Sequence, residues 1–160
     1  MKIDGADVVT RGALPEQGTV FPSFALVATD DAVVTDADFD GRKKVFFFCA
    51  GPEHEASAKL IEAAAAVVDG QDNTVLIPVS RTAPVEWRRF LHQSRIEGIA
   101  PLSVGDDVEV PFPVFAAGPS RGALAPAFVF VDDRDEVRAV QLATDADSLA
   151  GLDLKKLLAV

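Results

Sequence analysis

Cys49 and His54 are the two side chains whose type and spacing could do chemistry in this sequence. Both lie in "FFFCAGPEHEAS" (46–57), where a strand-like phenylalanine block passes through Gly51-Pro52 into a helix-like segment. Cys49 is the only cysteine in the chain and His54 is one of two histidines. A cysteine at such a junction is a redox nucleophile when a positive neighbour or a helix N-terminus stabilises its thiolate. No basic residue follows Cys49 until Lys59, and Glu53 and Glu55 come first, which favours the neutral thiol. The simpler reading of Cys49 is therefore a small hydrophobe ending a buried strand. His54 could be an acid, a base or a ligand. Its simpler reading is a solvated first-turn residue, with Glu53 and Glu55 offsetting the unfavourable helix dipole.

The bulk properties narrow the setting. The chain has 160 residues, 49% of them apolar, enough for a core and too many for disorder; the reading is a single domain over 1–160. A formal net charge of −10 disfavours nucleic acid and anionic membranes as partners. No apolar run approaches a spanning helix, and "MKIDGADVVTRG" lacks the apolar stretch of a signal peptide. The expectation is a soluble cytoplasmic protein. A lone cysteine excludes an internal disulfide and a cysteine-based zinc site, and no cofactor is expected.

The elements that must position these residues follow from periodicity. A short hairpin is expected around Asp4-Gly5, with Val8 and Val9 as its core, followed by a Gly/Pro-rich connector. Strands are expected at 24–29 and 32–39, and "KVFFFCA" (44–50) reads as a buried central strand. Pro52 suits a first helical position, and Ala56, Leu60, Ala63, Ala64 and Val67 mark one face of about four helical turns. "NTVLIPVS" (73–80) is a second buried strand, and Pro84 opens a second helix carrying Trp87, Phe90 and Leu91. A short strand at 100–104, a long loop at 105–126, a hairpin over 127–142 turning at Asp133 to Asp135, and a final helix at 153–160 complete the chain. There is no internal repeat. Parallel strands linked by helices, then an antiparallel hairpin, describe an α/β, thioredoxin-like mixed central sheet flanked by helices, with an N-terminal β-hairpin.

Three stretches carry a family resemblance over nearly the whole chain: "GALPEQGTVFPSFALVATD", "NTVLIPVSRTAP" and "AAGPSRGALAPAFVFVDD". Together they resemble the bacterial thiol peroxidases, the atypical two-cysteine peroxiredoxins. The resemblance implies a peroxidatic cysteine in the first turn of the long helix, preceded by a pocket proline and threonine. It also implies an activating arginine and a resolving cysteine on the next helix. This sequence departs from that pattern at almost every such position. Its loop is about two residues shorter, His54 occupies the peroxidatic position, and Cys49 aligns with the pocket proline. Arg89-Phe90 is followed by Leu91 and His92 where the resolving cysteine belongs, and "LSVGDDV" is acidic where the arginine belongs. Pro126 stands where thioredoxins carry their cis-proline, so the resemblance admits a cis Ala125–Pro126 bond.

The leading expectation is thus a non-catalytic binding or regulatory homologue with a remnant pocket at Gly51, Pro52 and Pro126. An enzyme alternative uses Cys49 alone, resolved by an external redox partner thiol protein. A third uses the loop Gly51 to Glu55 to bind a small molecule or a metal, the metal shared by His54, His92 and Glu53 or Glu55; that weak ligand set leaves no metal site in the leading reading. "GPSRG" with Arg121 has the flavour of a phosphate loop but is non-specific. The resemblance also implies a homodimer, formed through 50–55, 82–92 or 105–121, with Trp87, Phe112 and Phe115 as exposed contacts.

Overall fold

The computed structural model describes residues 2–3, 6–7, 10–11, 16–69, 73–96, 98–104, 114–115 and 127–142. Strands β1 (Lys2–Ile3) and β2 (Ala6–Asp7) form the N-terminal hairpin, with Ile3 opposite Ala6. Then follow β3 (Thr10–Arg11), β4 (Ala25–Ala28), β5 (Val33–Thr35) and a 3₁₀ turn, Asp36–Phe39. The 3₁₀ turn shortens the strand expected over 32–39. It starts because the Asp38 carboxylate accepts the Thr35 backbone N–H at 2.8 Å, ending the extended run.

The rest of the chain is β6 (Lys43–Phe48), α1 (Glu55–Val68), β7 (Thr74–Ser80), α2 (Pro84–Ser94), β8 (Leu102–Ser103), β9 (Val114–Phe115), β10 (Ala127–Val131) and β11 (Val137–Leu142). Seven strands make one mixed sheet in the order β11-β10-β6-β7-β8-β4-β5. The pairs β6–β7 and β7–β8 are parallel and helix-linked, and the other neighbours are antiparallel. Val114–Phe115 pairs with Thr10–Arg11, so the expected long loop is interrupted by a strand. Val8, Val9, Phe112, Arg121, Ala125, Pro126 and the expected helix at 153–160 lie outside the described residues.

Strand β6 is buried on both faces, which explains its unbroken apolar run. Val45, Phe47 and Cys49 point into one core with Leu60, Ile61, Ala64 and Val68 of α1 and Trp87 of α2. Phe46 and Phe48 point into the other, where Phe46 stacks on Phe21 with ring centroids 4.3 Å apart. The inward face of α1 is Ser57, Leu60, Ile61, Ala64 and Val68. Leu60 and Ala64 of the expected stripe are buried and Ala63 is half-buried, and Ile61, with its larger apolar area, joins them. Pro78 sits inside β7 without breaking it. Val79 accepts a hydrogen bond from Cys49 on the β6 side, so the Pro78 nitrogen faces the opposite side, where pairing bridges Leu76 to Ile99 and continues from Val79 and Leu102, passing over Pro78 itself. Among the described residues no helix is long and apolar enough to cross a membrane.

A charge lies inside this apolar sheet. Lys44 of β6 is 2% exposed and ion-pairs with Asp135 in the turn between β10 and β11. Removing one partner of a buried pair leaves an uncompensated charge. Asp135 has φ +64°, which asparagine tolerates. Asp135→Asn should therefore lower unfolding free energy by about 2 kcal/mol, and adding Lys44→Met should restore most of it. Urea melts of the three proteins check this; equal stability of Asp135→Asn and wild type would refute it.

Candidate functional site

The turn between β6 and α1 is built around Gly51. Its φ is +130°, a conformation that L side chains rarely adopt. A Cβ there would lie 2.1 Å from Thr82 Oγ1 and 2.5 Å from Glu53 Oε2, so a side chain would displace both. The close approach lets the Thr82 hydroxyl donate to the Glu53 carboxylate, at 3.1 and 2.9 Å from its two oxygens. Thr82 is itself buried and held: its N–H donates to Ser80 Oγ at 3.1 Å, and its carbonyl accepts from Ser103 Oγ at 2.6 Å. The spacing of Glu53 and Thr82 carries no sequence signal, because they meet only when β7 aligns beside β6.

His54 is the N-cap of α1, with extended backbone and no capping bond from its side chain. Helix α1 therefore starts at Glu55, and Pro52 lies in the turn ahead of it rather than at the first helical position. The cause is a tight turn in which His54 N–H donates to Gly51 O at 3.1 Å. The His54 ring is exposed, 3.9 Å from Glu53 Oε1. Cys49 has the opposite environment. It is 0% exposed, and its Sγ lies 3.9 Å from Val79 O. Burial pushes its thiol up to about 12; the Glu53 charge adds to this, while hydrogen bonds with the Gly51 backbone and Ser57 act against it. The two residues that sequence singles out are thus divided between core and solvent.

His92 is exposed in the last turn of α2, and Glu55 pairs with Lys59 at 3.1 Å. Among the described residues no three histidine, cysteine or acidic side chains are grouped to hold a metal ion. Trp87, expected as an exposed contact, is instead 0% exposed and packs edge-on against Phe90 at 6.0 Å. The helical period carries Trp87 inward, onto the core that also holds Cys49. Phe115 lies in β9 rather than in a loop. Beside the turn, a cleft of about 210 Å³ is lined by Pro52, Glu53, Glu86, Arg89, Phe90 and Gln93.

This sheet order, with a helix N-terminus beside the end of a central strand, defines a thioredoxin-like fold of the peroxiredoxin type. The solved thiol peroxidase of Chromobacterium violaceum superposes with a TM-score of 0.86 at 20% identity, over 99% of this chain and 94% of that one. A peroxiredoxin-like protein of Aquifex aeolicus gives 0.81 at 19% identity, over 98% and 95%. These likenesses establish the fold. No protein-family model matches the chain. A thiol peroxidase of Corynebacterium glutamicum is 30% identical over 150 residues, covering 88% of this chain and 87% of its own length. The chain belongs to the thiol peroxidase family.

The raised thiol pKa fixes a sign for stability. Below its ordinary value of 9.0 the thiol is neutral both folded and unfolded, so pH has no effect through Cys49. Between 9.0 and about 12 the unfolded chain ionises first, binds fewer protons, and folding stability falls. Relative to Cys49→Ala, wild type should lose about 1.4 kcal/mol between pH 8 and pH 10. Paired denaturant melts read this difference; parallel pH profiles for the two proteins would contradict it.

Proposed function

We propose that this thiol peroxidase homologue has no significant peroxidase turnover and acts as a binding or regulatory protein. The observation that carries the reading is the burial of its only thiol, at 0% exposure with a pKa pushed up to about 12. At neutral pH such a thiol is ionised to the order of one part in 10⁵. Peroxide reduction needs an accessible thiolate, donors aimed at the peroxide and a second thiol for regeneration. The position at the start of α1 holds an imidazole, which forms no sulfenic acid. The alternative, a redox protein using Cys49 with an external reductant, is disfavoured by the same burial. A cytoplasmic, reducing setting belongs to this reading, since the lone cysteine has no disulfide partner within the chain.

Purified protein should reduce hydrogen peroxide with a dithiol at a rate near that of free cysteine, unchanged in Cys49→Ser. An alkylating probe should label Cys49 only after denaturant is added. A rate constant more than ~10³-fold above free cysteine, abolished by Cys49→Ser, would put the enzyme reading first.

We also propose a homodimer formed through one of the segments 50–55, 82–92 or 105–121. The support is the family resemblance, and Val85 in the first turn of α2 is 48% exposed on one of these segments. Light scattering at micromolar concentration should return twice the monomer mass, and a monomeric mass would refute this assembly.

A further inference from the structure

The cleft between the Gly51 turn and α2 holds one charge that no lysine or arginine matches among the described residues. Of its three charged residues, Glu86 and Arg89 pair with each other at 3.1 Å. Glu53 has no lysine or arginine partner among the described residues; the His54 ring at 3.9 Å is its closest basic neighbour. The N-terminus of α1 contributes about half an elementary charge at most, so net negative charge remains. Glu53 is a half-exposed carboxylate whose position is fixed by a buried neighbour. Both oxygens receive the Thr82 hydroxyl, Thr82 is 7% exposed, and Ser80 and Ser103 hold Thr82 in turn. A carboxylate has about four acceptor sites, and one hydroxyl leaves most of them open. A preorganised acceptor of this kind loses little entropy when it takes a donor.

The rest of the cleft suits the stem of such a donor. Pro52 and Phe90 supply apolar surface. The volume of about 210 Å³ is below the ~300–1,000 Å³ of drug-sized sites, so the ligand is small. The formal net charge of −10 draws cations to the surface. We propose that this cleft binds a primary ammonium group on a short apolar stem, with Glu53 as its acceptor and Pro52 and Phe90 against the stem. The proposal rests on the binding reading of the protein and gives it a ligand class.

The test is a titration of ¹⁵N-labelled full-length protein with n-butylammonium chloride, followed by backbone amide shifts. Saturable shifts confined to 51–55 and 86–93 are expected, with 1-butanol, the neutral analogue, at least ~10-fold weaker. Glu53→Gln, with its fold checked by the unchanged remainder of the spectrum, should weaken butylammonium ~10-fold or more. Thr82→Val should weaken it by a smaller factor, because it frees the carboxylate without removing it. An N-acetylated, C-amidated Gly-Lys-Gly peptide binding more tightly than butylammonium, with the capped Gly-Gln-Gly inert, identifies the source as a lysine of a partner protein; the reverse order identifies a free amine. The proposal is overturned by absent or non-saturable shifts, by butanol matching butylammonium, or by Glu53→Gln matching wild type. Peroxidase turnover would defeat the binding reading but would not produce or abolish these shifts, so the two failures are distinguishable.

Discussion

The burial of β6 on both faces is the constraint on which the rest of the structure depends. A strand carrying Phe46, Phe47 and Phe48 in succession cannot sit at a sheet edge or face water. It needs a neighbour on each side and a layer above and below. Strands β7 and β10 supply the neighbours. Helices α1 and α2 supply one layer, and Phe21, Phe24 and Phe39 help form the other. The same requirement settles the fate of Cys49. It continues the alternation of Val45 and Phe47 onto the helix-covered face, so the strand's own geometry removes the thiol from solvent.

Much of this was legible in the sequence because the signals were local and periodic. The apolar run at 44–50, the helix opened by Pro84 and the hairpin turning at 133–135 each follow from a pattern a few residues long. Errors arose where a longer-range preference competed. Pro52 suited a helix start, but the His54–Gly51 turn bond placed that start at Glu55. Trp87 resembled a contact residue by type, yet its helical phase pointed it inward. On α1, Ile61 and Val68 join the expected Leu60 and Ala64 in the core, because alanines are too small to decide alone which way a helix faces.

The site was less legible than the fold. Cys49 and His54 stand out by rarity, but rarity says nothing about burial, and burial separates their roles. The interaction that organises the turn, Thr82 with Glu53, joins residues 29 positions apart. Neither is rare, and the stretch "NTVLIPVSRTAP" that contains Thr82 does not point to Glu53. Only the parallel alignment of β6 and β7 brings them together, so no reading along the chain could have paired them. Family membership supplies the scaffold and leaves open what this turn does on it.

Thr82 also has a consequence for how the chain can change. Its backbone and hydroxyl tie the end of β7 to the turn at Gly51–Glu53 and to Ser103 of β8. Substitutions at Gly51, Glu53, Ser80 and Ser103 therefore act on a shared partner, and neighbours of that kind do not have additive effects. Mutational paths through this corner are epistatic: the order in which residues are exchanged determines which intermediates remain folded. A turn linked in this way tends to drift as a block, keeping or losing its members together.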